Sequence, residues 1–214
     1  ELVIFDLDGT LLNTIDDLAC AANHALEALG LPVRSQAECQ SFVGNGVGKL
    51  LERALPEGHK TPEEMEKIRP AFFAYYDKHL ADKTLPYTGL AELLTELQRR
   101  GVKLAVASNK YQSATERLVK HFFPQIHFVA VLGQREGIPT KPNPQIVEDI
   151  LLAAGVSRED TLYVGDSDVD MQTAKNAGVR VCGVLWGFRT RSVLAQYQPD
   201  FLTENPAEIL NMLA

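Results

Sequence analysis

The chain opens on Leu2-Val-Ile-Phe5, an apolar run long enough for a buried strand and too short for a helix. After Thr10 the apolar positions change to a helical period and keep it as far as about His79. Ile15 to Leu29 places Leu18, Ala22, Ala25, Leu26 and Leu29 on one face, and Gly30 followed by Pro32 stops it. A second short helix is expected over Ser35 to Phe42. Gly44-Asn-Gly-Val-Gly48 breaks it, and Lys49 to Leu55 resumes. Thr61-Pro-Glu-Glu64 is a capping box with proline at the first helical position, opening a helix to about His79. No strand is expected in this stretch.

From Tyr87 onward strands and helices alternate, with glycines marking the handovers. Leu90 to Arg100 reads as a helix ending at Gly101, and Val102 to Ala107 as the next strand. Helices follow over Tyr111 to Lys120, Pro144 to Ala154 and Val169 to Ala177; strands follow over Phe128 to Leu132, Thr161 to Val164 and Arg180 to Val184. A short Phe201-Leu202 strand and a helix capped at Asn205-Pro-Ala-Glu208 close the chain. Such βα repetition predicts an α/β fold, a Rossmann-like parallel sheet covered by helices on both faces. The helical stretch between the first and second strands is no ordinary crossover. It reads as an inserted, all-helical cap over residues 14–84, with residues 1–13 and 85–214 forming the core. Asn13-Thr14 and Lys83 to Pro86 would then be two linkers on which the cap hinges.

Composition narrows the function classes. At 214 residues the chain can bury one core plus a small inserted lobe. A net charge of −7 without a long Lys/Arg block argues against nucleic-acid and membrane partners. Cys20, Cys39 and Cys182 are odd in number and widely spaced, which suits buried thiols in a reducing, cytoplasmic setting. The histidines show no metal-binding spacing, and no apolar run reaches membrane length.

The candidate chemistry sits at the strand ends. If the first strand stays extended beyond Phe5, Asp6 and Asp8 project from one face at its carboxyl end, where open parallel sheets bind ligands. Two acids that close need a cation between them or a shared proton, and either arrangement suits phosphoryl transfer. Asp6 has the chemistry of a carboxylate nucleophile and Asp8 that of a general acid and base, while Gly9 lets the backbone approach a phosphate. An Asp-Gly turn after a strand is the plainer alternative. Ser108-Asn109, straight after a strand, offers a hydroxyl and N–H groups for phosphate oxygens, or else an ordinary turn. Lys141 in Thr-Lys-Pro-Asn-Pro is either a compact counter-charge or a solvated loop lysine. Asp166, Asp168 and Asp170 form either an N-cap cluster or a site for a divalent cation.

The string Phe-Asp-Leu-Asp-Gly-Thr-Leu after an apolar strand resembles the first motif of the haloacid dehalogenase superfamily, in its phosphatase branch. Ser108-Asn109, Lys141 and Gly165-Asp-Ser-Asp-Val-Asp170 resemble its second, third and fourth motifs, in order, so the likeness covers nearly the whole chain. A large branch of that superfamily also carries a helical cap after the first strand. The resemblance implies Asp6 as nucleophile, Asp8 as acid/base, and Ser108 with Asn109 on the phosphate. Lys141 would steady the charge of a phosphoenzyme. Mg2+ would be held by Asp6, Asp166 and the Asp8 carbonyl, with Asp170 orienting a metal-bound water and Asp168 left as a helix cap.

Val43-Gly-Asn-Gly, Arg53-Ala-Leu, Tyr75-Tyr76 and Trp186-Gly-Phe-Arg189 are similar to strings of bacterial phosphoglycolate phosphatases. The expectation is therefore a magnesium-dependent phosphatase for a small phosphorylated substrate such as 2-phosphoglycolate. A pyrophosphatase, a sugar-phosphate phosphatase or mutase, and a non-catalytic relative are the alternatives. Substrate selectivity is expected in the cap, at Asn45, Lys49 and Arg53, the last two spaced i, i+4 on one helical face.

Overall fold

A computed structural model of the protein describes residues 1–213. The chain begins β1 (Leu2–Phe5), β2 (Leu12–Asn13), α1 (Ile15–Ala28), α2 (Gln36–Phe42), α3 (Gly46–Ala54), α4 (Pro62–His79) and β3 (Leu85–Pro86). It continues α5 (Leu90–Arg99), β4 (Lys103–Tyr111), α6 (Gln112–Phe122), β5 (Phe128–Gln134), α7 (Gln145–Ala154) and β6 (Thr161–Gly165). The last elements are α8 (Asp168–Ala177), β7 (Arg180–Val184), α9 (Arg191–Ala195), β8 (Phe201–Thr203) and a 3₁₀ turn, Pro206–Asn211. Two compact units result, Glu1–Asn13 with Pro86–Ala214, and Thr14–Leu85.

The first unit is built on one sheet of order β5-β4-β1-β6-β7-β8, every pairing parallel. β1 is buried along its whole length, as its unbroken apolar run requires of a strand covered on both faces. Leu2 and Ile4 point into a cluster with Ala105, Ala107 and Tyr163 of the neighbouring strands and with α7 and α8. Val3 and Phe5, equally buried, face the other way by the period of two. α5 and α6 pack on β4, and α6 also on β5. The connections move outward from β1 to β4 and β5, then return to β6 and move out to β7 and β8. The direction therefore reverses at β1, and right-handed crossovers in opposite directions put their helices on opposite faces of the sheet. The carboxyl end of β1 therefore opens on the crevice where ligands bind in such sheets.

The second unit is helical. Leu18, Ala22, Ala25 and Leu26 of α1 are buried, and α1 packs along α4. The rings of His24, Tyr75 and His79 stack at 4.5 and 4.3 Å. Buried Asp17 accepts the N–H groups of Lys83 (3.1 and 3.0 Å) and Thr84 (2.8 Å) and the Thr84 hydroxyl (2.8 Å). It thereby ties the end of the unit back to α1.

Some boundaries moved. α3 starts at Gly46 instead of Lys49, because the extended Val43 and Gly44 at φ +124° already make the break. β4 runs to Tyr111, resuming its pairing with β5 after an irregularity between Ala107 and Tyr111. The segment after Asn205 winds as a 3₁₀ turn in place of the expected helix, and three elements are too short for their period to register in the sequence: α9, and the two-residue strands β2 and β3, which fall where no strand is expected. Among the described residues no helix is long and apolar enough to cross a membrane. The three cysteines are unpaired thiols, Cys39 and Cys182 buried.

Candidate active site

Asp6 stays in strand register beyond β1, its N–H donating to the Val164 carbonyl at 2.9 Å. The chain then curls over the Leu7 carbonyl, which accepts from Thr10, Leu11 and Leu12 at 3.3, 3.1 and 3.0 Å. Gly9 is obligatory at this bend. Its φ is +90°, and a Cβ there would fall onto the Asp166 carboxylate.

Lys141 lies at the centre. Its ammonium reaches Asp6 Oδ1 (2.9 Å), Asp170 Oδ1 (2.7 Å), the Ala107 carbonyl (3.0 Å) and the Tyr163 hydroxyl (3.1 Å). Burial alone would drive this ammonium neutral, but Asp170 and Asp6 outweigh burial and hold its pKa well above the ordinary lysine value. The solvated-loop reading of Lys141 is thus overturned: it is 4% exposed. Asn109 explains how a loop lysine is held so deep. Its side chain clamps the Lys141 backbone, accepting from the N–H at 2.9 Å and donating to the carbonyl at 3.1 Å, which leaves the phosphate to the Ser108 hydroxyl and backbone N–H groups of the expectation. Ser108 is buried beside it, its hydroxyl oxygen accepting from the Lys110 N–H at 3.1 Å. Both residues lie within β4, not after it.

The third corner comes from β6 and the start of α8. Asp168 is not the helix cap: Ser167 is, accepting from the Asp170 N–H, while the Asp170 carboxylate accepts from the Ser167 N–H. Asp168 is the first helical residue and pairs with Arg189 at 3.5 Å. Asp170 Oδ1 takes Lys141 and Tyr163, and Oδ2 takes Ser167, so both oxygens are engaged by the protein. Asp166 accepts from the Thr10 hydroxyl (3.2 Å) and the Phe188 N–H (2.6 Å). Trp186 fixes that strap by donating from Nε1 to the Thr10 carbonyl at 3.0 Å.

The site is over-supplied with acid. Asp6, Asp166 and Asp170 each offer an oxygen, and these lie within 4.8 Å of one another. Adding Asp8 gives four carboxylates; facing them are two ammonium groups, Lys141 and Lys110, the latter 3.1 Å from Asp8 Oδ1. Four minus two leaves two negative charges, the charge of one divalent cation. Without a cation the site holds protons instead: burial and then Asp170 push Asp6 well above the carboxylate range, and push Asp166 from 3.8 to about 7. The donor set, all oxygen, fits a hard ion such as Mg2+.

Sequence reasoning passed over Lys110, Thr10 and Tyr163 as site residues. Lys110 directly follows Ser108-Asn109, and Thr10 lies within the first motif, so both lay in plain view. Tyr163 reads as one more core residue of β6, and only the sheet register brings its hydroxyl to Lys141. In the helical unit the three expected selectivity residues have partners of their own. Arg53 donates to the Phe42 carbonyl (2.8 Å) and to Asn45 Oδ1 (2.9 Å), and exposed Lys49 pairs with Glu52 at 2.7 Å.

Fold and site together define an α/β protein with a buried cluster of aspartates and lysines at the carboxyl ends of its parallel strands. The chain belongs to the haloacid dehalogenase-like hydrolases, whose family model matches residues 3–184. It is similar to the phosphoglycolate phosphatase of Mesorhizobium japonicum, 32% identical over 201 residues covering 93% of this chain and 88% of that protein. The phosphoglycolate phosphatase of Vibrio parahaemolyticus is likewise 32% identical, over 100% of this chain and 96% of its own. Among solved structures, a predicted phosphoglycolate phosphatase from Haemophilus somnus superposes with a TM-score of 0.91 at 31% identity, covering 99% of this chain and 96% of that one.

Proposed function

We propose that the protein is a magnesium-dependent phosphatase acting on a small phosphate monoester that bears a carboxylate, with 2-phosphoglycolate the leading candidate. The observation that carries this reading is the buried Asp6–Lys141–Asp170 chain at the end of β1, with Asp8 beside it. The phosphoglycolate phosphatases among its relatives favour the substrate.

Asp6 attacks phosphorus, the ester P–O bond breaks, and its electron pair leaves on the substrate oxygen, which takes a proton from Asp8. The aspartyl-phosphate is then hydrolysed by a water that gives its proton to Asp8 as the Asp6–phosphorus bond opens. Lys141, held by Asp170, Tyr163 and the Ala107 carbonyl, neutralises charge at Asp6 and on the phosphoryl oxygens. The Ser108 hydroxyl, the N–H groups near it and the Gly9 bend are assigned to those oxygens, with Asn109 serving through its clamp on Lys141. Mg2+ would be held by Asp6, Asp166 and the Asp8 carbonyl, with Asp170 beside them, and would neutralise the charge that otherwise separates nucleophile and phosphate. Residues 14–84 are assigned the part of a cap that reads the rest of the substrate. The free thiols suit the cytoplasm.

The test is a panel of phosphate esters and pyrophosphate, scored by kcat/KM with Mg2+ present. Highest kcat/KM on a small acid phosphate is expected. Preference for pyrophosphate or a sugar phosphate would move the substrate within the superfamily. No turnover on any member, with Mg2+ bound, would make the protein a non-catalytic relative.

A further inference from the structure

We propose that Lys110 is the positioning residue for Asp8, setting the direction in which that carboxyl group exchanges its proton; this rests on the phosphatase reading above. Lys110 Nζ stands 3.1 Å from Asp8 Oδ1, and the lysine side chain is 2% exposed. A buried ammonium is costly to place and retained only against a fixed partner. Lys141 is already committed to Asp6 and Asp170, so Lys110 is not a spare copy of it.

The backbone is built to hold Lys110 there. Its N–H donates to Ser108 Oγ at 3.1 Å, and its carbonyl accepts from Thr115 Oγ1 at 3.2 Å. The same carbonyl passes so close to Gly133 on β5 that a Cβ there would lie 2.5 Å from the oxygen. The irregularity of β4 between Ala107 and Tyr111 is the stretch that carries Ser108, Asn109 and Lys110 together. One deformed strand end thus supplies a hydroxyl, the clamp on one lysine, and the other lysine itself.

An ammonium has only donors, so the oxygen it faces remains an acceptor. In the acid form of Asp8 the proton therefore sits on Oδ2. Anchoring Oδ1 also fixes the plane of the carboxyl group, and with it the line along which Oδ2 meets the leaving oxygen and, later, the hydrolytic water. The proton given from Oδ2 as the P–O bond breaks is replaced there when water attacks, and Lys110 gives up none.

The experiment compares wild type, Lys110→Met and Lys110→Arg in the full chain. Rapid-quench rates of the first phosphoryl transfer are measured on an alkyl phosphate and on nitrophenyl phosphate, whose leaving group needs no proton. For Lys110→Met the alkyl rate should fall about ten- to hundredfold and the nitrophenyl rate less than about threefold, with Lys110→Arg recovering part of the difference. In an Asp8→Asn background, Lys110→Met should have no further effect. Equal losses on both esters, or losses that multiply in the double variant, would overturn the role and leave Lys110 a structural ion-pair residue. Should Lys110→Met not fold, Lys110→Gln, which also removes the charge but keeps a polar end, replaces it in both comparisons. A wild-type protein without turnover overturns phosphatase reading and positioning role together, whereas wild-type turnover with an unchanged leaving-group dependence overturns only the latter.

Discussion

Asp6 is buried near three further carboxylates, Asp170, Asp166 and Asp8, and one ammonium, Lys141, a setting in which losing its charge relieves crowding. Asp6→Asn should therefore fold as well as the wild type, with a melting temperature equal or higher, since the amide keeps the shape and Lys141 keeps Asp170. Turnover should nonetheless fall by about four orders of magnitude or more, the scale of removing a nucleophile. Steady-state assay beside a thermal melt checks both halves, and turnover within tenfold of wild type would mean the phosphoryl group lands elsewhere. Asp170 is a different kind of acid. It is fully buried with both oxygens bonded, Oδ1 to the Lys141 ammonium and Oδ2 to Ser167.

Among the elements, the turn from α2 into α3 and the end of the helical unit are each held by one charged side chain. Arg53 bridges the Phe42 carbonyl and Asn45. Arg53→Ala should lower stability by about 1–2 kcal/mol, the scale of charged hydrogen bonds on a half-buried group. Its kcat/KM on an acidic and on a neutral ester should fall together; a tenfold loss confined to the acidic ester would return Arg53 to the part of carboxylate reader. Asp17 takes three donors from Lys83 and Thr84 while almost wholly buried. Asp17→Ala strands those donors and should cost about 3 kcal/mol, with faster amide exchange at residues 83 and 84 and partial recovery in Asp17→Asn.

At the scale of the molecule, the surplus of acid couples folding to metal and pH. Asp166 is raised from 3.8 to about 7, and Asp6 is also raised. Between those values the metal-free folded state binds more protons than the unfolded chain, so stability falls as pH rises. In chelator, the melting temperature should drop from pH 5 to pH 8, the Asp166 contribution being lost by about pH 7. Mg2+ takes the place of those protons and should raise the melting temperature far more at pH 8 than at pH 5. A chelated protein that is more stable at pH 8 would show that the acids are compensated by other groups. Calcium in place of Mg2+ should inhibit in the steady-state assay, because a larger ion with a looser shell would compete for the Asp6 carboxylate without compact octahedral geometry; full activity with calcium alone would contradict this.

The strands of the six-stranded sheet and the α/β alternation were legible because unbroken or periodic apolar runs are written locally, and Asp6 and Asp166 were legible as the residues that directly follow β1 and β6. What the sequence could not specify was which of two uses a polar side chain serves. Asn109 and Asp170 have the residue types of phosphate and metal ligands, and the structure adds a second use, their side chains bonding the Lys141 backbone and ammonium. Ser167, not Asp168, caps α8, and Lys110 faces Asp8 only because β4 deforms after Ala107. A sequence determines which side chains reach a strand end by local periodicity. Which of them touch depends on how segments far apart in the chain meet, here the turn after β1, the end of β4, the loop before α7 and the start of α8, and only the folded molecule fixes that.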